Sequence, residues 1–441
     1  MVDLILRGAM VVTPGGTTIA DIAIRRGRID AVGDLRGRSA LREIDCAGKH
    51  VLPGAIDTQV HFREPGMEHK EDLESGSRAA LMGGVTTYFE MPNTRPTTST
   101  GDALADKLRR ATGRSWVNFA FFVGATTDNI EALGHLEMLP GTPGVKIFMG
   151  SSTGSLLVQK DEDVRRVLQN GVRPCSVHSE DEPRLRARQA LISAEPHVRE
   201  HPFLRDAEAA RLCTERLLAL SAETGRPVHV LHISSADELP LLRAAKDAGQ
   251  PVTCEATPQH LMLNAELYET LGSHLQMNPP VRDESHRSAI FAAWQGGLFD
   301  VIGSDHAPHT LGEKAQPYPK SPSGMPGVQT LLPVMLTLVH DGAMSLERLV
   351  QMTSARPAEL FGIRDRGRIE PGCWADLVVL DPNEPFTVGE DWLQSKAGWS
   401  PYTGRTLYGR PERVIVNGRM VVEDGEIADT PAGRIVEFEW K

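Results

Sequence analysis

Eight short apolar runs recur through the middle of this chain, and most of the intervals between them read as helix. The runs cover residues 51–56, 85–90, 116–123, 145–149, 174–177, 228–233, 252–256 and 301–304. Helix-like segments fall at 72–82, 100–111, 205–224 and 235–248, and Gly83, Gly84 and Gly249 stand where helix ends should be capped. A strand apolar along its whole length is buried on both faces, as in a parallel sheet covered by helices. Eight such strand-then-helix units predict an α/β chain built on a (β/α)8 TIM-type barrel.

The two ends of the chain read differently. Residues 4–7, 9–12, 19–24 and 29–32 near the start, and 376–380, 412–416 and 419–422 near the end, are short alternating runs without long amphipathic helices. The simplest packing joins them as one small β-sandwich domain formed by both termini. The expected division is therefore 1–52 and 365–441 for that domain, with 53–364 as the catalytic barrel. Residues 310–327 are rich in Pro, Gly, Ser and Lys and follow the eighth run, so they read as a long loop over the barrel mouth.

Composition narrows the function classes. A net charge of −11 argues against a nucleic-acid partner. The five cysteines are odd in number and share no C-x-x-C spacing. Three lie in apolar runs, which predicts buried free thiols and a reducing compartment. The first ten residues hold no basic leader followed by a long apolar stretch, and no run is long enough to span a bilayer. These readings predict a cytoplasmic protein with no membrane contact.

In a parallel barrel, the ends of the strands gather at one mouth, so chemistry is sought there. His61 closes the first run, in D-T-Q-V-H-F-R-E-P-G. His178 closes the fifth in S-V-H-S-E-D, His232 the sixth in V-L-H-I-S-S, and Asp305 follows the eighth in S-D-H-A-P-H. Each motif alone is weak, since a lone histidine after a strand is commonly a polar turn residue. Four imidazole or carboxylate groups at equivalent places point to one metal-dependent hydrolytic site. Lys146 lies inside the fourth run, in P-G-V-K-I-F-M-G. One reading is a lysine that snorkels to an edge. The other is a desolvated amine whose lowered pKa lets it react with CO2, giving an anionic carbamate ligand. Strand alternation places Gln59, His61 and Arg63 on one face, and Arg63 offers a planar fork suited to a carboxylate. Asn93 closes the second run facing the same mouth, or serves as a turn asparagine before Thr94.

The ordered series D-T-Q-V-H-F-R-E-P-G, G-G-V-T-T-Y-F-E-M-P-N-T, G-V-K-I-F-M-G-S-S-T-G, V-H-S-E-D, V-L-H-I-S-S, M-N-P-P-V-R and S-D-H-A-P-H resembles the dihydroorotases of the amidohydrolase superfamily. The likeness runs over essentially the whole chain, and G-R-I-E-P-G-C-W-A-D-L-V-V-L-D looks like the superfamily's closing β-segment. The resemblance implies reversible, metal-dependent hydrolysis of cyclic dihydroorotate to N-carbamoyl-L-aspartate in pyrimidine biosynthesis. It implies Lys146 as a carboxylated ligand bridging two zinc ions, His178 and His232 on one ion, and His61 and Asp305 on the other, with Asp305 also carrying the proton. Arg63, Asn93 and His309 would hold the substrate carboxylate, and Asn278 the ring amide. A homodimer is implied as well, with aspartate transcarbamoylase as a candidate partner.

One position departs from the family pattern, in which His-x-His stands where this chain has Gln59-x-His61. An amide oxygen is a poor substitute for imidazole at zinc. The expectation is therefore one or two zinc ions per chain, with one favoured because Gln59 replaces a ligand. Two rivals stand beside dihydroorotase. One is another cyclic amidohydrolase of the hydantoinase or allantoinase type, whose substrates lack the carboxylate that Arg63 would pair. The other is a non-catalytic scaffold, for which Gln59 is the best support.

Overall fold

The computed structural model describes residues 1–151 and 156–440. Parallel strands form its centre: Ala55–Val60, Val85–Glu90, Asn118–Phe121 with Val123–Gly124, Val145–Phe148, Cys175–His178, Val228–Val230, Val252–Ala256 and Val301–Ile302. Each pairs in parallel with its neighbour. The third strand is interrupted at Phe122, so its first half pairs with the second strand and its second half with the fourth. Val60 bridges His306 in parallel and His61 N donates to His306 O at 2.7 Å, which joins the eighth strand to the first. The ring is a (β/α)8 barrel whose strands are buried almost throughout.

The helices begin and end where the sequence has the chemistry to cap them. Asp72 accepts from Ser75 N at 2.8 Å and caps Leu73–Met82, and Gly84 turns the chain out at φ +79°. Asp206 caps Ala207–Thr224, which closes on Gly225 at φ +72°. Buried Leu217, Leu218 and Leu220 turn this helix toward the barrel.

The first expected strand is divided by the structure. Residues 51–56 straddle two elements: His50–Pro53 belongs to the terminal sheet, and the barrel strand starts at Ala55. Gly54 between them allows the close passage, since a Cβ there would lie 2.1 Å from Thr86 Oγ1.

Both ends of the chain build one mixed, nine-stranded sheet among the described residues, consistent with the β-sandwich expected of the termini. Val2–Thr13 is a single strand with an irregularity between Leu6 and Ala9, where two runs were expected. Gly8, at φ +64°, supplies the break. Ala40–Asp45 pairs in parallel with Val2–Thr13 but is largely exposed, so no apolar pattern announced it. Leu377–Leu380 lies antiparallel to His50–Pro53, which ties the two ends together. Leu4 and Leu6 belong to one apolar cluster and Ile5 to another, as alternation along a strand requires. All five cysteines are free and buried. Among the described residues, no helix is long and apolar enough to cross a membrane.

Candidate active site

A small internal cavity opens at the C-terminal end of the barrel strands. Gln59, His61, Lys146, His178, His232, Asn278 and Asp305 all line it, with Phe148, Ala307, Ser323 and Gly324. Asn278 and Ser323 also line a neighbouring, more open cavity of about 420 Å³, bounded by His201, Arg205 and residues 318–323. The long loop after the eighth strand is thus part of the wall. Its short helix Leu311–Lys314 is anchored from within: the buried Lys314 ammonium donates to the carbonyls of Gln276, Pro322 and Gly324 at 3.2, 2.9 and 2.9 Å. Of the S-S-T-G stretch after the fourth strand, Ser152, Thr153 and Gly154 lie outside the described residues.

The ligand-type side chains come as two pairs. His178 Nδ1 is 3.1 Å from His232 Nε2, and His61 Nε2 is 3.2 Å from Asp305 Oδ1. Contacts behind each pair set the tautomers. Glu180 Oε2 lies 2.8 Å from His178 Nε2 and accepts a hydrogen bond from it, which leaves Nδ1 bare toward the cavity. Burial alone would raise the Glu180 pKa, but Arg205 and His178 hold it well below the carboxylate range. Asn93 Oδ1 lies 2.7 Å from His61 Nδ1, which makes that nitrogen the donor and leaves Nε2 bare before Asp305. A bare imidazole nitrogen facing a carboxylate oxygen needs a proton or a cation between them.

Lys146 shares the cavity with both pairs. It is 1% exposed, its Nζ has no hydrogen-bond partner, and burial pushes its pKa down to about 7. Burial also raises Asp305 to about 7 and lowers His61, His178 and His232. Among the described residues, no three His, Cys, Asp or Glu side chains gather as a ready-made metal site. Lys146 stands where an anion would complete the donor set. An orphaned buried amine beside two pairs of converging lone pairs fits a metal held with a carboxylated lysine. Gln59 behaves differently from a ligand: its Nε2 donates to Asp305 Oδ1 at 3.0 Å, while its buried Oε1 has no partner.

The expected carboxylate-binding residues Arg63, Asn93 and His309 do not line the inner cavity themselves; His309 packs behind its wall at Gly324, and Asn93 behind His61. Arg63 does not reach the site by strand alternation with Gln59 and His61, because the strand ends at Val60 and Arg63 takes a left-handed turn at φ +66°. Its guanidinium is buried, with Nε donating to Pro308 O at 3.2 Å and Nη2 lying 3.2 Å from His309 Nε2. No carboxylate among the described residues forms an ion pair with it. Burial lowers its pKa to about 10. His309 Nε2 also lies 3.0 Å from Ser323 O, and Lys70 Nζ approaches its Nδ1 at 3.0 Å. His232 and Asp305, like Arg63, have positive φ, +36° and +46°, a region costly for residues with a Cβ.

Sequence reasoning passed over Glu180, Lys70 and Lys314. Glu180 carried a readable signal, standing two residues beyond His178 where it can share that side chain's face. Lys70 reaches His309 from a turn and Lys314 comes from the short helix Leu311–Lys314, and neither gave a signal.

Comparison with known proteins points one way. The amidohydrolase family model matches residues 50–198 and 214–421. A dihydroorotase of Halobacterium salinarum is 36% identical over 431 residues, covering 95% of this chain and 96% of that protein. An allantoinase of Rubrobacter xylanophilus is 36% identical over 447 residues, covering 98% and 97%. Among solved structures, an L-hydantoinase (dihydropyrimidinase) from Arthrobacter aurescens superposes with a TM-score of 0.94 at 31% identity, covering 99% of this chain and all of that one.

Proposed function

The chain belongs to the amidohydrolase family and is a cyclic amidohydrolase, and from that premise we propose that its substrate is dihydroorotate, opened reversibly to N-carbamoyl-L-aspartate. The observation that carries this reading is Arg63: a buried guanidinium behind the cavity wall with no carboxylate partner among the described residues. A ring that brings its own carboxylate satisfies it, whereas a hydantoin or allantoin ring does not.

His178, His232 and a carboxylated Lys146 would hold a zinc ion, which supplies hydroxide at neutral pH and polarises the scissile carbonyl. Asp305 takes the proton of the attacking water and returns it to the departing ring nitrogen. Gln59 Nε2 and His61 Nε2 both contact Oδ1 of that carboxylate, leaving Oδ2 for the proton. Asn278 stands at the join of the inner and outer cavities, where it can orient the ring amide. Arg63 and His309 hold the carboxylate, with Asn93 behind His61.

The test is turnover of L-dihydroorotate, hydantoin and allantoin by zinc-loaded protein. Preference for dihydroorotate supports the assignment, and preference for either neutral ring overturns it. Metal analysis accompanies it: Gln59 favours one firmly held zinc per chain, and two tightly held ions would refute that part. A homodimer is proposed with the same function.

A further inference from the structure

Lys70 lies outside the metal-ligand set, yet its ammonium is directed at His309. The side chain is 14% exposed, with Nζ 3.0 Å from His309 Nδ1 and 3.0 Å from Glu313 Oε1. An ammonium has protons to give and no lone pair, so His309 Nδ1 must be the accepting nitrogen. Burial and the charges of Arg63, Lys70 and Lys314 keep the imidazole neutral. Its single proton is therefore on Nε2.

That proton meets two neighbours of opposite kind. Ser323 O, 3.0 Å away, accepts it. Arg63 Nη2, 3.2 Å away, is itself a donor and cannot. Two N–H groups thus converge behind Gly324 of the cavity wall, and an anionic oxygen reaching them accepts from Arg63 and shares the Nε2 proton with Ser323 O. The opposite tautomer would close the gap internally: Nε2 would accept from Arg63, and Nδ1–H would face Glu313 Oε2, now 3.8 Å away. Arg63 would then be satisfied by the protein and the anion would lose a donor.

We propose that Lys70 is a positioning residue that fixes His309 as an Nε2–H donor, so that Arg63 and His309 jointly select ring substrates bearing a carboxylate. This rests on the dihydroorotate reading for its ligand, but the tautomer itself does not. Glu313 keeps Lys70 in place, since its other oxygen accepts from Thr310 N and Oγ1 at 3.0 and 3.1 Å at the start of the loop helix.

The decisive experiment measures the His309 tautomer by long-range ¹H–¹⁵N correlation on zinc-loaded protein, with the signal assigned by its loss in His309→Gln. Wild type should show Nε2–H, Lys70→Met should show Nδ1–H, and Lys70→Arg, which keeps the donor, should restore Nε2–H. Kinetics should follow: Lys70→Met raises KM for L-dihydroorotate about tenfold or more, with kcat within about threefold and KM for hydantoin unchanged. An unaltered tautomer in Lys70→Met, or an Nδ1–H wild type, overturns the proposal. Equal losses on both rings also overturn it, because they mark a merely structural lysine. A wild type that ignores dihydroorotate refutes the functional reading instead, and the tautomer measurement then decides the role of Lys70 alone.

Discussion

Replacing Glu180 by glutamine changes one atom in a fully buried side chain and should weaken zinc binding without contacting the ion. Glu180 accepts from His178 Nε2 at 2.8 Å and from Arg205 Nε at 3.2 Å, with a second Arg205 nitrogen on Oε2. A glutamine has one accepting oxygen and one donating nitrogen. Oε2 receives both His178 Nε2 and an Arg205 nitrogen, so the amide oxygen settles there and the NH₂ takes the Oε1 position, where it loses only the bond from Arg205 Nε. His178 keeps its Nε2–H, but a neutral amide no longer raises the basicity of Nδ1 as the carboxylate does. Losing a partner of this kind costs roughly 10–100-fold in metal affinity, or about 1.4–2.7 kcal/mol. Arg205 also donates to Ser151 O at 2.8 Å and its side chain is 15% exposed, so it is not stranded and the fold should survive. Competition for zinc against a chelating dye reads the affinity, and circular dichroism with a thermal melt confirms the fold. A folded Glu180→Gln protein with wild-type zinc affinity would refute the argument that the charge of this carboxylate strengthens His178 as a ligand.

Three further outcomes are expected. Asp305→Asn should lower kcat by at least about a hundredfold while the melt stays near wild type, and retained turnover would remove Asp305 from the proton path. Arg63→Met removes a buried cation that has no carboxylate partner, so the melting temperature should hold or rise while KM for dihydroorotate climbs about tenfold or more; a large loss of stability would make Arg63 structural. Asp57 is fully buried, and burial raises its pKa from 3.8 to about 7. A raised acid contributes full stability below its unfolded value and loses it as pH climbs toward about 7. Asp57→Asn keeps the Oδ1 that accepts from Gln59 N and Ser304 N, so it should be more stable than wild type at pH 8, by about 4 kcal/mol at most. The difference should vanish below about pH 4 in urea unfolding, and a pH-independent difference would refute the assignment.

The sequence was most readable where the barrel itself does the placing. His61, His178, His232 and Asp305 stand at or just beyond the ends of four strands and Lys146 lies inside a fifth, and the parallel barrel brings all five to one cavity. Gln59 could be recognised as the odd residue because the family it resembles has His-x-His where this chain has Gln59-x-His61. Arg63 does not follow the alternation expected of it: the strand stops at Val60, and a left-handed turn that no periodicity encodes carries the side chain to His309. Lys70 meets His309 across 239 residues of chain. That contact depends on how two loops settle, and nothing in either segment's pattern announces it. The first strand was misplaced because apolar residues 51–56 run on through Gly54, where the chain passes from one sheet to the other.

Arg63, His232 and Asp305 adopt a backbone region that glycine enters freely and that costs other residues roughly 1–2 kcal/mol each. A library selected only for heat resistance would therefore find relief at these three positions, by drifting toward glycine or asparagine wherever the lost side-chain contacts cost less. Stabilising this protein and keeping it active thus pull in opposite directions at the same three backbone positions. A thermostability campaign would need to lock Arg63, His232 and Asp305 and seek its gains in the terminal sheet and the outer helices, or it would harden the barrel by dismantling its mouth.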